Sequence, residues 1–207
     1  MTENLPPEAF RRQDESPDAD FYSVPRFVTH IDKGAIAAVT QLYRESFPPG
    51  GAVLDLMSSW VSHLPEEVEY SRVVGLGMNE AELAKNPRLD AYVVQDLNRD
   101  PALPFGDAEF DGCGICVSID YLIRPVEVLR EVRRVLKPGS PLVVTFSNRC
   151  FPTKAVAVWH MTDDRGHVRL VKGYLEAAGF TDVQGLDRSP KRLFSDPLYA
   201  VTGRAPE

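Results

Sequence analysis

The run from Phe110 to Ser147, "FDGCGICVSIDYLIRPVEVLREVRRVLKPGSPLVVTFS", decides the fold. Gly112 to Ser118 is a short apolar stretch that reads as a buried strand. Pro125 to Leu136 then repeats apolar residues at helical spacing: Val128, Leu129, Val132, Val135 and Leu136. Pro125 suits the first helical turn, where an N–H is unpaired anyway, and Lys137-Pro138-Gly139 stops the helix. A second apolar run, Pro141 to Ser147, follows at once. Strand, helix and strand in so short a length is the unit of a parallel sheet, because a parallel return needs a crossover.

The same alternation extends outward. Ile31 to Ser46 carries Ile31, Ala35, Ala38, Val39 and Leu42 at helical spacing, and Phe47-Pro48-Pro49-Gly50 ends it. Val53 to Leu56 reads as a strand and Ser59 to Leu64 as a short helix. Ser71 to Gly77 is the next strand, and Asn79 caps a helix from Glu80 with Glu82 near its N-terminus. Ala91 to Leu97 is a third strand. After Ser147 come a short helix around "TKAVAVWHM", a longer one in "RGHVRLVKGYLEAAG", and two final strands, "DVQGLD" and "LYAVTGR". With no helix between them, those two read as a hairpin. The expected fold is α/β: a seven-stranded, mostly parallel sheet with helices on both faces and an antiparallel last strand.

Composition narrows the class. The chain has 207 residues, 26% of them charged, and a net charge of −7. An acidic balance argues against a nucleic-acid or anionic-membrane surface. No apolar run is long enough to span a bilayer, and the N-terminus lacks the apolar core of a secretory signal. Residues 1 to about 18, rich in Pro, Asp and Glu, read as a mobile tail before a single domain over 19–207. Three cysteines suit a reducing, cytoplasmic setting. Cys113 and Cys116 sit three apart on one strand, so they point to opposite faces and share no metal. No cluster has metal-ligand spacing.

Ligands of open parallel sheets bind beyond the carboxyl ends of the strands. The residues there are Asp55 with Met57, Ser58 and Ser59; Gly77, Met78 and Asn79; and Gln95, Asp96 and Leu97. Val117 and Ser118 follow, running on to Tyr121, and then Asn148, Arg149 and Cys150.

The order of these signals resembles the class I S-adenosylmethionine-dependent methyltransferases, more narrowly the type 11 group with small-molecule acceptors. The resemblance covers roughly residues 35 to 204. It rests on Asp96, Leu103-Pro104-Phe105, Phe110-Asp111, Arg124-Pro125, Leu136-Lys137-Pro138-Gly139-Ser140 and "YLEAAGF" in that sequence. It implies a Rossmann-like fold, S-adenosyl-L-methionine as cofactor, and methyl transfer to a small molecule. By resemblance, Asp96 accepts from the adenine amine and Leu97 packs on the ring. The turn after Asp55 faces the methionine end, and Val117, Ser118 and Tyr121 lie near the sulfonium. Residues 19–48 would cover the site.

Two anchors of that family are absent. Its glycine-rich first motif reads Asp55-Leu56-Met57-Ser58-Ser59-Trp60 here, and its ribose-chelating acid is replaced by Gly77. Either Ser58 and Ser59 supply hydroxyl donors and Asn79 reaches the ribose, or the site has decayed into a non-catalytic binding or scaffold module. For the acceptor, Tyr22, His30 and Tyr121 are the candidate catalytic groups. Arg26, Asn148, Arg149, Cys150, Lys154 and Trp159 are the candidate substrate contacts, with Arg149 and Lys154 suiting an anion. His160 and His167 read as surface histidines.

Overall fold

The structure, a computed structural model, describes residues 5–191 and 194–207. Its strands are β1 (Ala52–Leu56), β2 (Arg72–Gly77), β3 (Ala91–Val94), β4 (Gly112–Cys116), β5 (Pro141–Phe146), β6 (Thr181–Asp187) and β7 (Tyr199–Arg204). They form one sheet in the order β3-β2-β1-β4-β5-β7-β6. Pairings from β3 through β5 are parallel, and β7 runs antiparallel to both β5 and β6. The helices are α1 (Asp18–Phe21), α2 (Lys33–Ser46), α3 (Glu80–Leu83), α4 (Pro125–Val135), α5 (Ala157–His160) and α6 (Asp164–Ala178).

Sheet residues alternate between two apolar clusters. Leu54, Leu56, Val74 and Leu76 pack with α4 and α6, while Val53, Val73 and Val143 pack with α2. Cys113 belongs to the first cluster and Cys116 packs on the second, as their spacing requires. Three helix N-termini are closed by side chains read from the sequence or adjacent to them. Asp32 accepts from Ala35 N–H, Asn79 from Glu82 N–H, and Asp163 from Gly166 N–H. Gly179, at φ 86°, ends α6 in the left-handed region.

The expected helix over 59–64 does not form. Ser58 and Ser62 both donate their hydroxyls to Asp55, and Thr40 donates to the His63 carbonyl. Side-chain bonds of this kind compete with the helical ladder. His63 is itself left-handed at φ 53°. The third strand stops at Val94, three residues early, where the Gln95 side chain turns to the carbonyls of Asp100 and Ala102. The fourth stops at Cys116 because Val117 turns out of extended geometry at φ 44°.

Residues 1–4 of the expected tail lie outside the described residues. From Leu5 onward the chain is laid on the domain. Residues Pro7–Phe10 form a 3-10 turn, with the Phe10 ring 6.2 Å from Tyr174. Asp14 N–H donates to Thr153, and Arg11 accepts from Ala157 N–H. Lys154 is fully buried beneath this segment. Its Nζ donates to the Ser16 carbonyl at 2.8 Å and lies 3.2 Å from both Asp14 and Asp18. The acidic residues that make the segment read as a tail are thus the ones that hold it. Lys154→Met keeps the apolar stem and removes the charge. It is expected to cost about 1–3 kcal/mol, because Asp18 retains Arg12 and Asn98 as partners. Amide exchange should quicken over residues 11–18 and not in β5; unchanged exchange over 11–18 would show that the anchor lies elsewhere.

Candidate cofactor and acceptor crevice

The strand order reverses between β1 and β4, and a cavity of about 290 Å³ opens there beyond the carboxyl ends of β1, β2, β3 and β4. All twelve candidate cofactor residues line it: Asp55, Met57, Ser58 and Ser59 from β1, Gly77, Met78 and Asn79 from β2, Gln95, Asp96 and Leu97 after β3, and Val117 and Ser118 after β4. Tyr22, Arg26 and His30 reach it from the N-terminal segment, and Tyr121, Arg149 and Cys150 from the far side.

Three candidate substrate residues do not reach it. Lys154 is the buried anchor just described. Trp159 is 4% exposed and stacks on His167 at 3.9 Å and 5°, so both belong to the core, and His167 is not a surface histidine. His167 Nε2 lies 2.9 Å from the Trp159 carbonyl. Asn148 faces outward, beside the cavity lined by its neighbour Arg149.

The altered first turn is internally bonded. Ser58 Oγ donates to Asp55, and Ser59 Oγ donates to Glu82 at 2.6 Å. Neither hydroxyl proton is left for a ligand carboxylate. The Ser59 and Trp60 amides, by contrast, donate to no acceptor among the described residues. Met57 holds φ 58° at the position where the resembled motif has its first glycine. With Val117 and His63, three left-handed non-glycine residues line one cavity, which is where backbone strain gathers at working sites.

At β2 the missing acid has a steric cause. A Cβ on Gly77 would collide with the Ser58 carbonyl oxygen, because Ser58 N–H bonds to Leu76 and draws the turn onto the strand end. Asn79 does not take over. Its Oδ1 caps α3, and its Nδ2 donates to the carbonyls of Tyr22 and Ser23. Glu82 is a carboxylate bonded to this turn: it accepts from Arg26 N–H and Ser59 Oγ, each at 2.6 Å, and keeps further lone pairs. In the sequence Glu82 reads only as a helix-start residue. Asp96 uses one oxygen, Oδ1, for the Asn98 and Arg99 amides. Its Oδ2 accepts nothing from the described residues.

Burial sets the protonation of the site. It pushes Asp55 up to about 6, against the two serine bonds that favour the carboxylate. It brings His63 down to about 4, helped by the cost of charging it beside a protonated His30, and it lowers His30 as well. Both imidazoles are therefore neutral at pH 7. Burial raises the Tyr22 and Tyr121 hydroxyls, and Tyr121 accepts from Phe151 N–H at 2.8 Å. Ser118 lines the cavity, and its hydroxyl is buried with no partner among the described residues. Phe151, Trp60 and Asn98 also line it, with no sequence signal that marks them as site residues. Asn98 joins Asp18 to the Tyr121 carbonyl, a link across 80 residues that no local pattern reveals.

Residues 57–144 match the family model described as a methyltransferase domain. A malonyl-(acyl-carrier protein) O-methyltransferase of Erwinia pyrifoliae is 32% identical over 75 residues, 36% of this chain and 28% of that protein. The chain covers less than a third of the curated relatives it matches. A solved S-adenosylmethionine-dependent methyltransferase from Archaeoglobus fulgidus has a TM-score of 0.61 at 18% identity, over 82% of this chain and 92% of that one. The (4+2)-cyclase SpnF has a TM-score of 0.63 at 18% identity, over 91% of each chain. The chain carries the class I S-adenosylmethionine-dependent methyltransferase fold, built around a methyltransferase-domain segment at residues 57–144.

Proposed function

We propose that this crevice binds S-adenosyl-L-methionine and directs methyl transfer to a small-molecule acceptor. One observation carries the reading: the cavity at the β1/β4 switch is lined by polar groups with no partner among the described residues, above all Asp96 Oδ2 and the Ser59 and Trp60 amides. A plugged site would pair or cover such groups rather than leave them free on its lining. Asp96 Oδ2 suits the adenine amine, with Leu97 and Met78 as ring walls. The free amides of Ser59 and Trp60, rather than the serine hydroxyls, suit the methionine carboxylate. Glu82 stands in for the missing acid at the ribose. When bound, the cofactor supplies a sulfonium methyl group. His30, kept neutral by burial, is the better base for a protonated acceptor; Tyr22 and Tyr121, with raised hydroxyls, are donors and walls.

The net charge of −7 supports a small-molecule acceptor over a nucleic-acid partner. No helix among the described residues is long and apolar enough to cross a membrane. Calorimetry with S-adenosylmethionine and S-adenosylhomocysteine is the direct test. Both should bind, and Asp96→Ala should weaken each by roughly tenfold, about the value of one hydrogen bond to a charged group. A second reading has its own observation in the collapse of the Ser58 turn onto Gly77. If neither ligand binds at millimolar concentration, the chain is a non-catalytic module of this fold.

A further inference from the structure

The mouth of the crevice is apolar. Val24, Phe27 and Val28 are 66%, 48% and 56% exposed, within five residues of one another. Trp60 joins them, its ring 6.4 Å from Phe27 and its Nε1 donating to the Val28 carbonyl at 3.0 Å. Val28 and Trp60 also line the cavity, so the apolar lip is continuous with its interior. Exposed apolar residues scattered singly need no explanation, but a cluster on the rim of a cleft does. The cavity, about 290 Å³, is at the small end for a ligand site. A cofactor and the reacting end of an acceptor fill it, and the rest of the acceptor must leave over this rim.

Just inside the lip is Arg26. Its guanidinium lies 4.6 Å from the Phe21 ring centre and 5.4 Å from that of Phe151. It donates to two backbone carbonyls, Phe21 and Val24. Among the described residues no carboxylate pairs with the guanidinium, and three of its five N–H groups remain. The other cations near the crevice are paired, Arg149 with Asp196 at 2.8 Å and Lys154 with Asp14 and Asp18. A cation held on aromatic rings with spare donors is suited to an anion.

We infer that the acceptor is an amphiphilic acid, its apolar chain lying across Val24, Phe27, Val28 and Trp60 and its acid group at Arg26. This rests on the methyltransferase reading for the word acceptor, while binding at the lip can be measured without turnover. The probes are n-alkyl carboxylates from butyrate to dodecanoate, with decyltrimethylammonium as the cationic counterpart. Trp60 emission is the signal, since the other tryptophan, Trp159, is buried in the core. Affinity is expected to rise about two- to fourfold per methylene, as partial to full burial of each group requires. Decanoate should bind at least tenfold more tightly than the ammonium of equal chain. Phe27→Ser combined with Val28→Ser should flatten the chain-length series; both side chains are exposed, so the fold is retained. Arg26→Gln should remove the preference for the acid and keep the slope. Affinity independent of chain length, an unchanged slope in the double variant, or equal binding of acid and ammonium overturns the inference. S-adenosylhomocysteine is titrated into the same samples. If it binds and the carboxylates do not, the lip proposal alone fails. If it does not bind, the methyltransferase reading fails, and the alkyl series still decides the lip.

Discussion

Asp120→Asn is expected to leave stability unchanged near pH 4 and to raise it by on the order of 5 kcal/mol at pH 9 relative to the parent. Asp120 lies in the 3-10 turn Ile119–Tyr121 behind the crevice wall, 3% exposed. Its Oδ2 is buried without a partner among the described residues. Burial pushes its pKa from 3.8 up to about 8, more than its own backbone and Tyr121 offset. The folded state therefore holds the proton more tightly than the unfolded chain. Between about 4 and 8 it binds more protons than the unfolded state, so this group's contribution falls as pH rises through that window. Below 4 both states are protonated and nothing is lost. Asparagine has the shape of the neutral acid and cannot ionise, so it escapes the loss. The Asp120 carbonyl, which accepts from Val156 N–H at 3.0 Å, is unaffected by the change. Urea midpoints for the two proteins from pH 4 to 9 give the comparison directly. Curves that stay parallel across the range would mean that the carboxyl finds water or a partner and is ionised at neutral pH. The same titration bears on the site, because an ionised Asp120 opposes loss of a proton from its neighbours Tyr22, Tyr121 and Cys150.

What the sequence shows and hides follows from the range of the interactions. Strand and helix periodicity is local, and the run from Phe110 to Ser147 specified β4, α4 and β5 to within two residues at their ends. Strand ends in a parallel sheet must face the switch point, so the residues after β1 to β4 reached the crevice whatever their chemistry. Lys154 and Trp159 failed for a different reason. Their residue types suit a substrate, but the partners that claim them, Asp14 and Asp18 for one and His167 for the other, are read only from the folded chain. The non-helical path of 59–64 likewise depends on Asp55 drawing in two serines, which no periodicity records. Arg26 was among the candidates, yet its aromatic seat on Phe21 and Phe151 joins segments 125 residues apart and could not be foreseen.

Restoring the family's acid by Gly77→Asp is expected to destabilise the protein by roughly 2–4 kcal/mol and to leave cofactor affinity no better, with overpacking as the cause. In a site that had only lost its carboxylate, the same change would be a repair. Here the obstacle is backbone rather than side chain. The Cβ direction at Gly77 is filled by the Ser58 carbonyl, with a Leu83 methyl at 3.2 Å on its flank. Ser58 cannot withdraw freely, since its N–H is bonded to Leu76 and its hydroxyl to Asp55. Asp55 in turn binds Ser62, so moving the turn strands a buried carboxyl. Gly77→Ala separates the two contributions, because it carries the collision without the charge. Most of the loss in melting temperature should already be present in Gly77→Ala, with little added by aspartate. S-adenosylhomocysteine titrated into each variant then reads the site itself. An aspartate variant as stable as the parent, binding more tightly, would show that the turn yields and that Glu82 is not the group that answers for the missing acid. Loss of stability in both variants identifies the Ser58 turn as a rigid replacement for the glycine-rich loop, built together with Gly77 rather than left over from its absence.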